Sequence, residues 1–241
     1  MGTSQSHSLK TTPQWTSAKK ALTAVIKNEG NTQKHAKLMS AFGNALGNEV
    51  YRGSTIGGKR GTFGYAGAKA LHNTIQFISD VRSVGINAAL NNLGLLQANI
   101  PTTPRELIRT LCGLTAEGTG AFADDEAAVV AQESLLAKIF TECSTLQDVE
   151  SILINSDDDT IDVWIIDFQV EYIVEYMGGL FQSHIFDKNA DPEMVCNDIK
   201  DWLHSELDNR LAAEMTHIDI FSQDGKAYIE SLTLRILKIW Q

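Results

Sequence analysis

Apolar residues recur at spacings of three and four along most of the chain, the pattern of helices that bury one face. From Thr16 to Asn28, Ala18, Leu22 and Val25 or Ile26 form such a stripe, and Gly30 stands where a helix would stop. A second helix is predicted from about Thr32 through Leu38, Phe42 and Leu46 to Gly47. Leu71, Ile75, Ile78, Gly85 and Ala89 mark a stripe over residues 66–94, broken near Gly85, and Pro104 suits the first position of a short helix through Leu114. Asp124 to Cys143 and Leu146 to Leu153 carry further amphipathic helices, and Asp157, Asp158 and Asp159 can cap the next one.

The opening of that next segment, IDVWIIDF over residues 161–168, fits a strand or a helix. Trp164, Phe168, Tyr172 and Tyr176 recur every fourth residue and decide for a helix reaching about Phe186. Pro192 begins a long helix with Val195, Ile199, Leu203, Leu207, Leu211 and Met215 on one stripe. Tyr228 to Trp240 forms the last, with a strand as the alternative. With four prolines and no hairpin signal, the fold class is all-α: an irregular helical bundle without an internal repeat.

Two stretches lack this periodicity. Residues 1–14, rich in Ser, Thr and Gln, read as a disordered N-terminal tail, which makes Trp15 the first anchored side chain. Gly53 to Gly67, GSTIGGKRGTFGYAG, is too glycine-rich for a regular element and reads as a basic loop around Lys59 and Arg60. The organisation is therefore a tail over 1–14, a basic helical region over 15–110 and an acidic helical region over 111–241. The last two could form one continuous domain.

Charge sharpens that division. The net charge is -10, yet residues 1–110 hold 13 basic and 4 acidic side chains, a net of +9, and residues 111–241 hold 7 basic and 26 acidic ones, a net of -19. Either the halves attract each other or a partner, or the basic half meets a phosphate-bearing ligand such as nucleic acid. No helix-turn-helix or aromatic-rich strand motif accompanies the lysines. The 241 residues, 43% hydrophobic, can bury one sizeable core or two small ones. Cys112, Cys143 and Cys196 form an odd set without paired spacing, which points to a reducing cytoplasm. The longest charge-free stretch, residues 83–104, is interrupted by four asparagines and a glutamine, so no membrane span is expected.

Catalytic signatures are weak. Gly53, Gly58 and Lys59 fall at phosphate-loop positions, but Arg60 replaces the Ser or Thr whose hydroxyl would hold magnesium. His7, His35, His72, His184, His204 and His217 are scattered, so no metal site is expected. Asp167, Glu171 and Glu175 share one helix face, as do Asp198 and Asp201 on the following helix. These carboxylates read as a solvated or partner-facing ridge rather than an acid and base pair. No catalytic residue is assigned, and the chain reads as a non-enzyme.

The N-terminus carries the distinctive chemistry. Met1 precedes Gly2, small enough for the initiator methionine to be removed, which would free a glycine α-amine. With a pKa of about 7.7–8, an appreciable fraction of that amine is the free nucleophile at neutral pH. The opening Met1-Gly2-Thr3-Ser4-Gln5-Ser6 also matches the N-myristoylation pattern, so a lipid-anchored adaptor with a basic second signal from Lys10, Lys19 and Lys20 is the alternative.

The opening MGTSQS, the Pro13-Gln14-Trp15 element ahead of a basic helix, and the steps Gly57-Gly58-Lys59-Arg60 and Phe63-Gly64 resemble the QatB family, small components of Qat anti-phage defence operons. The resemblance reaches to about residue 70. It implies a bacterial protein working beside an ATPase, a TatD-like nuclease and a QueC-like enzyme of the QatC type. It further implies that Gly2 accepts a deazapurine from that enzyme, with Thr3, Ser4 and Trp15 as recognition contacts. ATP and the deazaguanine donor would be used by the partner, and no cofactor is implied for this chain.

Overall fold

A computed structural model of the chain describes residues 12–51, 62–95, 99–115, 123–215 and 218–241. They form ten α-helices: α1 (Pro13–Ile26), α2 (Thr32–Leu46), α3 (Tyr65–Val84), α4 (Ile86–Asn92), α5 (Pro104–Thr115), α6 (Ala123–Ile139), α7 (Leu146–Asn155), α8 (Asp158–Phe186), α9 (Pro192–Met215) and α10 (Gln223–Lys238). Among the described residues there is no strand, only a single parallel bridge between Val50 and Phe63. The all-α class thus holds, and both segments that could have been strands, at residues 161–168 and in α10, are helical.

Local chemistry accounts for most of the helix ends. Thr12 caps α1 by accepting from the Trp15 N–H at 3.5 Å, and Pro13, which has no N–H to leave unpaired, occupies the first turn. The helix therefore takes Pro13 and Gln14 from the expected tail, a correction to the boundary at residue 14. Asp157 caps α8 through the Thr160 N–H at 2.8 Å, which turns the ambiguous Ile161 segment into helix. Gly85, at φ +81°, separates α3 from α4, and Glu150 of α7 accepts from the Ile86 N–H there at 2.8 Å.

The 29-residue α8 is the spine. Its buried side chains, among them Ile161, Ile165, Phe168, Tyr172, Ile173 and Phe181, point in several directions, as suits a helix covered on more than one side. Helix α6 packs along one flank and α9 along another, while α1 and α3 also touch it. Each such side chain is worth about 1.5–3 kcal/mol when fully buried. Helices α1 and α2 form an antiparallel hairpin that seats Trp15, Leu22, Val25, Leu38 and Phe42 in the same core. Buried residues from the basic and acidic regions belong to one contiguous cluster, so residues 15–110 and 111–241 share a core. No helix among the described residues is long and apolar enough to cross a membrane.

Candidate functional site

Two segments singled out by sequence, the N-terminal residues and the glycine-rich stretch, adjoin one aromatic cluster. Trp15, the first buried residue of α1, lies 6.2 Å from Phe42 of α2 and 6.0 Å from Phe181 of α8, ring centre to ring centre. Phe42 is 6.0 Å from Phe63, which lies 4.2 Å from Tyr176 and stacks on Tyr172 at 5.2 Å. Edge and offset contacts of this kind add about 0.5–1.5 kcal/mol per pair beyond area burial. The cluster joins the start of α1 to the residue immediately preceding the α3 turn.

The backbone just before the glycine-rich stretch pairs with Phe63 within it. The Tyr51 N–H donates to the Phe63 carbonyl at 2.7 Å, and the Phe63 N–H donates to the Glu49 carbonyl at 3.1 Å. Just beyond, a buried carboxylate holds the start of α3. Asp124, the second residue of α6, is 2% exposed. It accepts from the Gly64 N–H at 3.0 Å, from the Ala66 N–H at 2.7 Å and from the Tyr172 hydroxyl. Tyr172 in turn accepts from the Gly64 N–H at 2.7 Å. Asp124 thus supplies from another helix the acceptor that a side-chain cap would normally supply to the free N–H groups of α3.

Both glycines here are required by geometry. Gly64 sits at φ +98° with Tyr51 and Thr233 against its open side. A Cβ on Gly67 would lie 2.5 Å from the Tyr172 ring. Burial pushes the Asp124 carboxyl up to about 6 against the opposing pull of its three donors. Burial, then the neighbouring Asp124 charge, raises Tyr172 well above the ordinary phenol range. The arrangement favours a phenol that stays protonated and donates, so its chemistry is positional: it pins the helix start and the stacked rings.

A second polar feature lies where a solvated or partner-facing ridge was expected. Asp167 meets Lys138 at 2.6 Å and His204 at 2.7 Å, His204 also meets Asp208 at 2.9 Å, and Lys200 bridges Glu171 at 2.8 Å and Glu175 at 3.4 Å. The ridge on α8 is therefore an ion-pair seam joining α6, α8 and α9. It lines an open groove of about 200 Å³ with Ser134, Leu135 and Asp201. Asp198 faces elsewhere, accepting from the Gly30 N–H at 3.1 Å and meeting buried His35 at 3.0 Å. No group of three or more His, Cys, Asp or Glu side chains among the described residues is arranged to hold a metal ion.

Of the residues picked out from sequence, Gly2, Thr3, Ser4, Lys59 and Arg60 lie outside the described residues. Trp15 is 7% exposed, its ring committed to the aromatic cluster, while Pro13 and Gln14 beside it are exposed. Asp124 carried no signal of its own, since an aspartate opening a helix is commonplace. Gly64 and Gly67, the last two glycines of the glycine-rich stretch, were the visible trace of the clamp. No protein-family model, curated protein or solved structure matches the chain.

Proposed function

We propose that this chain is a non-catalytic subunit of a bacterial anti-phage defence complex, and that its Gly2 α-amine accepts a deazapurine from a QueC-like partner. The reading takes Met1 as an initiator residue that is removed. In the partner's site, ATP activates the carboxylate of the deazaguanine as an acyl-adenylate with loss of pyrophosphate. The Gly2 amine attacks that carbonyl, AMP leaves, and the amine gives up a proton as the amide forms. Glycine, without a Cβ, is the least hindered acceptor, and its α-amine is more readily deprotonated than a lysine.

The observation that supports this reading is the burial pattern at the start of α1. Among the described residues Trp15 is the first that is buried, Thr12, Pro13 and Gln14 are exposed, and Thr12 lies ten residues along the chain from Gly2. Ten residues span at most about 36 Å, enough to carry an amine into the active site of an enzyme docked on the body. Trp15 then serves as the anchor at the base of the tail, and a partner reading this junction would meet Pro13 and Gln14.

Intact-mass and peptide-level mass spectrometry of the chain co-expressed with its QueC-like neighbour tests the proposal. Methionine removal and a deazapurine-sized increment on the peptide beginning at Gly2 are expected, and a free Gly2 amine beside an active partner refutes it. A lipid-sized increment together with flotation on liposomes would instead select the myristoylated adaptor. A single acyl chain binds membranes only marginally, which makes flotation sensitive to the lysines near the tail.

A further inference from the structure

The fold sorts the cations of the basic half into those with partners and those without. Arg82 lies 3.7 Å from Asp158 and stacks over Phe221, and Lys69 is also engaged. The α1–α2 hairpin differs. Its residues 12–46 hold five lysines, Lys19, Lys20, Lys27, Lys34 and Lys37, against one acidic residue, Glu29. None of the five has a carboxylate partner among the described residues.

Their placement follows from the helical repeat. Lys20 and Lys27 lie two turns apart on the side of α1 opposite Ala18, Leu22 and Val25, and both are exposed. On α2, exposed Lys37 lies opposite the buried stripe of His35, Met39, Phe42 and Leu46, and half-buried Lys34, one turn before Leu38, lies at the edge of that stripe. The two helices pack side by side, so Lys20, Lys27 and Lys37 share the outer face of the hairpin, with Lys34 at its edge. Thr16 and Ser17 on α1 and Gln33 and Asn44 on α2 are exposed on the same side as these lysines. None of the exposed large apolar side chains among the described residues lies on α1 or α2.

That composition selects among anionic partners. A protein interface needs aromatic or aliphatic anchors at its centre, and a membrane-adsorbed helix needs apolar residues to insert. Neither is present on this face. Contacts to a nucleic-acid backbone are made by lysines with Ser, Thr, Asn and Gln, and they draw their free energy from counterion release. We infer that the outer face of the α1–α2 hairpin binds the phosphate backbone of double-stranded nucleic acid without sequence preference, through Lys20, Lys27, Lys34 and Lys37. This inference stands apart from the fate of Gly2.

Fluorescence anisotropy of the full chain with a labelled duplex of about 20 base pairs, across about 50–200 mM salt, tests it. The expected log–log slope of affinity against salt is about -3 to -4, falling by roughly one per lysine removed. The quadruple variant K20Q/K27Q/K34Q/K37Q should lose most of the affinity at the lowest salt and nearly all of the slope. The K20R/K27R/K34R/K37R variant should keep both, and far-UV circular dichroism should match for all three proteins. Absence of duplex binding by the wild type near 50 mM salt overturns the inference, as does an unchanged slope in the glutamine variant. A slope lost only on K59Q/R60Q would also overturn it. So would lysine-dependent self-association, or retention on vesicles containing anionic lipid, in a chain that ignores the duplex.

Discussion

Replacing Asp124 by asparagine isolates the energetics of the clamp. The carboxyl is pushed up to about 6 from an ordinary value of 3.8, so between those pH values the folded protein holds more protons at this site than the unfolded chain does. A group whose folded pKa is raised stabilises fully below the unfolded value and loses that contribution as pH rises through the folded one. A shift of this size corresponds to about 3 kcal/mol, and with the side chain 2% exposed there is little solvent screening to reduce it. Urea unfolding of wild type and Asp124→Asn at pH 4, 5, 6 and 7 provides the assay. Wild-type stability relative to the variant should fall by about 2 kcal/mol between pH 4 and pH 7, the remainder of the effect lying below pH 4. Asp162, also pushed up to about 6 by burial and then by Asp159 and Asp158, titrates over the same range but cancels in the difference. A flat difference would remove burial as the dominant influence on Asp124. A difference of opposite sign would mean that the donors at Gly64, Ala66 and Tyr172 outweigh it and hold the carboxyl below 3.8.

Two further outcomes test the packing around the same site. Gly67→Ala should destabilise by about 1–3 kcal/mol, although alanine is the better helix former, because its Cβ would meet the stacked Tyr172 ring; a more stable variant in thermal unfolding would contradict this. Trp15→Ala should cost about 3–5 kcal/mol and raise amide exchange first in α1, since the ring ties that helix to Phe42 and Phe181; unchanged exchange would show that the hairpin holds without it.

Much of the helical layout is legible in sequence because its determinants are local. Pro104 and Pro192 open α5 and α9, Gly47 follows the end of α2, and Gly85 divides α3 from α4, each within a residue or two of the apolar stripes. The aromatic residues at every fourth position along residues 164–176 likewise overrule the strand-like opening of α8, because a period near 3.6 buries one stripe continuously and a period of two does not. The early start of α1 was legible in principle, since Thr12 followed by proline is a cap and first-turn pair.

Tertiary structure alone decided what the polar residues do. The spacing of Asp167, Glu171 and Glu175 places them on one face, but whether that face meets water or the side chains of Lys138, Lys200 and His204 depends on how α6 and α9 lie beside α8. Asp124 is the sharper case. Its partners are 58 and 60 residues away at the start of α3 and 48 residues away on α8, so its sequence neighbourhood contains none of the donors that define its role. Hydrophobic burial follows a periodic pattern written along the chain, whereas a hydrogen bond needs two groups brought within about 3 Å, and only the assembled fold sets that distance.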